Sequence, residues 1–106
     1  MNEIITLTKL LRNGENGFWK ALRNFLSKQS IDVNTSYLAF SVEQGDNSEF
    51  GVIVTNDKKV YSYAILLTKD CKALEEVVEW KNISETYKHS PYRNDVDKTF
   101  SLIDGD

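Results

Sequence analysis

"EFGVIVTNDKKVYSYAILL", residues 49–67, decides the fold. Apolar and polar residues alternate on both sides of the tip Asn56-Asp57-Lys58-Lys59, the pattern of two strands joined by a tight turn. The register depends on the loop. A loop of two or four residues pairs Val54 with Tyr61 and Val52 with Tyr63, which sets both tyrosines on the face of Phe50. A loop of three slips the pairing by one and turns the tyrosines to the opposite face. It also forces Lys58 into the left-handed conformation that glycine adopts freely. That penalty is about 1 kcal/mol. The expectation is therefore that Tyr61 and Tyr63 share a core face with Phe50, Val52 and Val54, their hydroxyls reaching the rim.

Upstream, "YLAFSVEQG" sets Leu38, Phe40 and Val42 against Ala39, Ser41 and Glu43, the alternation of a half-buried strand. "QGDNSE" turns it into the hairpin, so three strands form an antiparallel meander. Gly51 inside the second strand marks a bulge or leaves room for a bulky neighbour. Downstream, "KDCKALEEVVEW" reads as a turn or short helix, followed by an edge strand around Val78 to Ile83.

Helices flank the strands. Ile4, Leu7 and Leu11 recur at helical spacing and Asn13-Gly14 supplies a stop. In "NGFWKALRNFLSKQ", Phe18, Leu22, Phe25 and Leu26 form one stripe, with Trp19 at its edge and Lys20, Arg23, Asn24 and Lys28 facing away. The basic polar face also suits a membrane surface, but the stripe is what any sheet-covering helix needs. At the other end Ser90 is placed to cap and Pro91 to open a helix. Tyr92, Val96, Phe100 and Ile103 share a face of it, and Gly105 ends it. The predicted architecture is a single α+β domain over residues 1–106: a small antiparallel sheet with N-terminal helices and a C-terminal helix.

Composition narrows the function by exclusion. The net charge of −3 is uneven: residues 1–31 carry +3 and the remainder −6. An acidic surface repels phosphates and attracts cationic partners, which argues against direct nucleic-acid binding. Apolar runs are too short for a transmembrane helix, and the start Met1-Asn2-Glu3 lacks the character of a signal peptide. With Cys71 the lone cysteine, no internal disulfide forms, so a cytoplasmic location is expected. One histidine, His89, and one cysteine make no metal-ligand spacing and no recognisable nucleophile–base motif. "NGENG" at 13–17 lacks the Lys-Ser/Thr of a phosphate loop, and "DNSEFG" lacks calcium-ligand spacing. The paired carboxylates Glu75-Glu76, Asp95/Asp97 and Asp104/Asp106 read as solvated charge. No cofactor, metal or catalytic activity is expected.

Binding remains. Aromatic anchors and acidic rims are the usual equipment of an interface with a basic partner. Two acidic clusters qualify: Glu43, Asp46 and Glu49 around one hairpin connection, and Glu75, Glu76 and Glu79 just before Trp80. Trp80 is a candidate anchor or, equally, a core residue.

The segments "FGVIVTNDKKVYSY", "EEVVEWKNIS" and "SPYRNDVDKTFSLI" occur in an order that resembles small bacterial immunity proteins, including those of contact-dependent growth inhibition systems. The features carrying the resemblance are an aromatic-Gly-Val start, a Thr-x-Asp turn followed by Lys-Val-Tyr, and a Trp before the last helix. They span roughly the C-terminal two-thirds of the chain. The resemblance implies a monomer that binds one cognate toxin domain in a 1:1 complex and blocks it without chemistry. Such toxins are frequently nucleases with basic clefts, here expected to be a ribonuclease, and one like pancreatic ribonuclease is a specific candidate. The alternative is a generic protein-interaction or regulatory module with no toxin partner.

Overall fold

The computed structural model describes residues 3–45, 47–70 and 73–105. Two helices come first, α1 (Glu3–Asn13) and α2 (Gly17–Lys28). Strands β1 (Tyr37–Glu43), β2 (Ser48–Val54), β3 (Val60–Leu67) and β4 (Leu74–Asn82) follow, then helix α3 (Arg93–Ile103). The strands form one antiparallel sheet in the order β1-β2-β3-β4, each paired with its chain neighbour. This is the predicted α+β architecture.

The sheet is covered on both faces, and each face has its own core. On one, Leu11, Trp19, Leu22, Phe25 and Leu26 from α1 and α2 pack on Leu38, Ile53, Tyr63, Ile65 and Leu67. On the other, Val96 of α3, with Tyr92, Phe100 and Ile103 beside it, packs on Ala39, Val52, Val54 and Val60. The boundaries of α1 and α2 follow from local signals. The Asn16 side chain caps α2 by accepting from the Trp19 amide at 3.1 Å. Arg23 lies on the polar side of α2 but does not simply face solvent. Its guanidinium donates to the carbonyls of Leu11 (2.9 Å) and Gly14 (2.6 Å), tying down the open end of α1.

The hairpin register corrects the sequence expectation. Val54 pairs with Val60, Ile53 with Tyr61, Val52 with Ser62 and Gly51 with Tyr63. Thr55 and Lys59 close a three-residue loop, with the Thr55 amide donating to the Lys59 carbonyl at 2.9 Å. Lys58 sits in the left-handed region at φ 64°. Tyr61 and Tyr63 therefore lie on the α1/α2 face, opposite to Phe50, Val52 and Val54.

Two effects outweigh the strain at Lys58. The Tyr63 ring occupies the space above Gly51, where a Cβ would overlap Tyr63 Cζ and Oη. In the register expected from a loop of two or four residues, Gly51 would face only Ala64, leaving a gap. Burying the large Tyr63 ring contributes about 1.5–3 kcal/mol, set against roughly 1 kcal/mol of backbone strain and the cost of a hydroxyl without a partner. The loop also organises itself: the Thr55 hydroxyl donates to the Asp57 carboxylate, and the Lys59 amide donates to Thr55 Oγ1 at 3.1 Å.

Three smaller differences have local causes. A bulge between Leu38 and Phe40 breaks the alternation of β1, so Leu38 faces α1 and α2 while Ala39 and Phe40 face α3. Strand β4 begins at Leu74 rather than near Val78, because Leu67 pairs with Leu74 and extends the ladder. Pro91 and Tyr92 precede α3 in a turn, with Ser90 Oγ accepting from the Tyr92 amide at 3.2 Å.

Candidate functional site

Strand pairing answers a question that chain order leaves open: where the two acidic clusters lie relative to one another. Glu43 pairs with Glu49, and Glu49 pairs with Ile65, which pairs with Val77. Ser48 pairs with Leu66, which pairs with Glu76. The Leu67 amide donates to the Asn47 carbonyl at 2.8 Å, fastening the end of β3 to the β1–β2 turn. Glu43, Glu49, Glu75 and Glu76 thus share one end of the sheet, spread over about 14 Å from edge to edge at the usual strand spacing. Lys69 and Asp70 occupy the β3–β4 connection at that end. Asp46 and Cys71 lie outside the described residues.

Within this end the clusters differ. Glu75, Glu76 and Glu79 are exposed on β4, an edge strand on which Val78 is 62% exposed. The Ser62 hydroxyl donates to Glu79 Oε2 at 3.0 Å, holding that carboxylate against the α3 face. Trp80 points to the other face. It is half-buried, stacked on Tyr61 (4.9 Å, 4° between planes) and edge-on to Phe25 (5.3 Å). One neighbour, Phe25, is buried and the other, Tyr61, half-buried, so the ring is already engaged within the fold.

Glu43 and Glu49 border a cleft of about 330 Å³ between the start of α2 and the sheet. Asn16, Phe18 and Trp19 line one wall, and Ser41, Glu43 and Glu49 line the other. The two aromatic rings meet edge to face at 4.7 Å. Glu49 is half-buried and accepts a hydrogen bond from the Ser41 hydroxyl at 2.5 Å. Burial raises the Glu49 carboxyl pKa above the ordinary carboxylate value. The Ser41 hydrogen bond works against that rise, and the charge of Glu43 adds to it.

Beneath this pair lies Tyr63, fully buried, its hydroxyl without a hydrogen-bond partner. Burial and then the Glu49 charge push its pKa up. Ser41 is close enough to temper that rise, but its hydroxyl already donates to Glu49 and no bond of good geometry reaches Tyr63 Oη. Ser41, Tyr63, Phe18 and Trp19 were not among the residues singled out from sequence as binding groups. The available signal was Gly51, whose missing side chain makes room for Tyr63.

Among the described residues no cluster of His, Cys, Asp or Glu is arranged to hold a metal ion, and no helix is long and apolar enough to cross a membrane. His89 lies exposed in a short turn, Tyr87–His89, before α3. No family model, curated protein or solved structure matches the chain.

Proposed function

We propose that this chain is a non-catalytic immunity protein that captures a basic toxin domain, a nuclease of ribonuclease type, in a 1:1 complex in the cytoplasm and covers its active site. The observation that carries the reading is the convergence of Glu43, Glu49, Glu75 and Glu76 on one end of the sheet. A nuclease cleft is built to hold phosphates with lysines and arginines, and a concentration of carboxylates competes for the same groups. The ion pairs Lys58–Asp104 and Arg93–Asp97 lie elsewhere and involve none of these acids. The resemblance of the hairpin, the Trp80 strand and the last helix to immunity proteins points the same way.

The test uses the nuclease domain encoded directly upstream, titrated with this protein at low and high salt. Reversing Glu75, Glu76 and Glu79 to lysine should slow association about tenfold, equivalent to about 1.4 kcal/mol, and flatten its salt dependence. A complex whose formation ignores both salt and the reversal would remove the electrostatic basis of the reading. Absence of any neighbouring toxin gene would favour an interaction module of another kind.

A further inference from the structure

We propose that the cleft between the start of α2 and the β1–β2 end of the sheet is a receptor for a single arginine side chain of the protein partner. Glu49 and Glu43 would be its anionic pair, and Phe18 with Trp19 its aromatic wall. This rests on the reading that the partner is a basic protein, and it names the group that the partner inserts.

Size suits a small occupant. A volume of about 330 Å³ is at the lower limit of small-molecule pockets and matches one long side chain. Charge selects a cation: two carboxylates border the cleft, and among the described residues no lysine or arginine lines it. The start of α2 contributes the opposite sign, but its dipole amounts to roughly half a charge and Asn16 already caps it. Geometry then favours guanidinium over ammonium. A planar fork reaches carboxylates on two adjacent strands while its face lies against an aromatic ring, an arrangement an ammonium cannot reproduce.

The independent observation is the Tyr63 hydroxyl. A buried hydroxyl without a partner is unfavourable and uncommon. This one is held beside Ser41 and Glu49, the two groups on the cleft wall that already share a hydrogen bond. When a cation takes over the Glu49 carboxylate, the Ser41 hydroxyl is released to turn inward, where its Oγ accepts from the Tyr63 O–H. Occupancy thus satisfies a donor that the free protein leaves idle. The raised proton affinity of Glu49 agrees with this, since a carboxylate starved of solvent gains most from a fixed cation.

The probe is N-acetyl-argininamide titrated into the full chain, with the amides of Ser41, Glu49 and Trp19 followed by NMR. N-acetyl-citrullinamide, the uncharged isostere, is the control. Saturable shifts confined to these residues, with a dissociation constant of about 1–10 mM, support the receptor. So do at least tenfold weaker binding of the citrulline compound and of arginine to Glu49→Gln. Tyr63→Phe should fold with unchanged or higher stability and bind several-fold more weakly. Absence of saturation by about 50 mM, citrulline binding equal to arginine, or wild-type affinity in both variants would overturn the proposal. The two readings separate cleanly. If reversing Glu75, Glu76 and Glu79 weakens nuclease capture while the probe ignores the cleft, the receptor is wrong and the immunity function stands. If the probe binds and no nuclease is captured, the receptor stands and the toxin assignment falls.

Discussion

The two ends of the sheet are built on opposite terms. At the β2–β3 end, charged groups are matched within the molecule. Lys58 pairs with Asp104 at 2.6 Å and lies over the Phe100 ring at 5.8 Å, while Thr55 holds Asp57. At the β1–β2 end, Glu43, Glu75 and Glu76 face solvent and Glu49 is desolvated against the charge of Glu43. The first end accepts local strain to fix a register. The second keeps an electrostatic strain that the Ser41 hydrogen bond to Glu49 only partly offsets, the arrangement expected where a partner supplies a cation.

The register is where this comparison breaks most visibly. Tyr63→Ala removes the side chain that the strained loop serves and should destabilise the fold by about 3–5 kcal/mol in urea unfolding. Tyr61→Ala, at a half-buried position stacked on Trp80, should cost less than half as much. Equal losses at the two positions would contradict the burial difference. Gly51→Ala forces a Cβ into the Tyr63 ring and should cost about 1–3 kcal/mol, since β2 is an inner strand with no freedom to yield. A melt unchanged by that substitution would mean the ring is not seated over Gly51.

Smaller changes sharpen the contrast. Lys58→Gly relieves the left-handed strain, worth about 1 kcal/mol, and loses an exposed ion pair worth less. The net expectation is a modest stabilisation, visible as a higher urea midpoint; a lower midpoint would show that the Lys58 contacts dominate. The smallest effect is expected at the acidic end. Glu49 has a folded-state pKa above its unfolded one, so its charge opposes folding at neutral pH. That opposition disappears as the pH falls through the folded pKa. Glu49→Gln should therefore raise the melting temperature at pH 7 by less than the roughly 4 °C that 1 kcal/mol is worth in a domain this size. The advantage over the parent should shrink in acid, and an advantage that grew instead would reverse the assigned sign.

Elements written in local spacing are legible in the chain. Ile4, Leu7 and Leu11, followed by Asn13-Gly14, define α1 because the signal and the structure span the same residues. The hairpin register is not local. It rests on Tyr63 meeting Gly51 across two strands, a packing gain that a penalty at Lys58 alone does not reveal. The site divides in the same way. Glu43 and Glu49 are neighbours in the chain as in space, whereas Glu76 joins them only through Leu66 and Ser48. The wall formed by Phe18 and Trp19 comes from a helix more than twenty residues upstream of Ser41, and no short-range pattern connects them.

Strand β4 has a consequence beyond recognition. Its outer side is unpaired among the described residues, and Val77 and Val78 are exposed on it. Such an edge is a template for a second copy of the same strand, and self-pairing is the start of aggregation. Glu75, Glu76 and Glu79 bracket the valines with like charge, so two β4 edges brought together repel. The same carboxylates thus oppose self-pairing of the β4 edge, whatever else they bind. Neutralising all three to glutamine should leave the melting temperature nearly unchanged yet raise light scattering on storage, and a clear solution at high concentration would show that the edge is protected by other means.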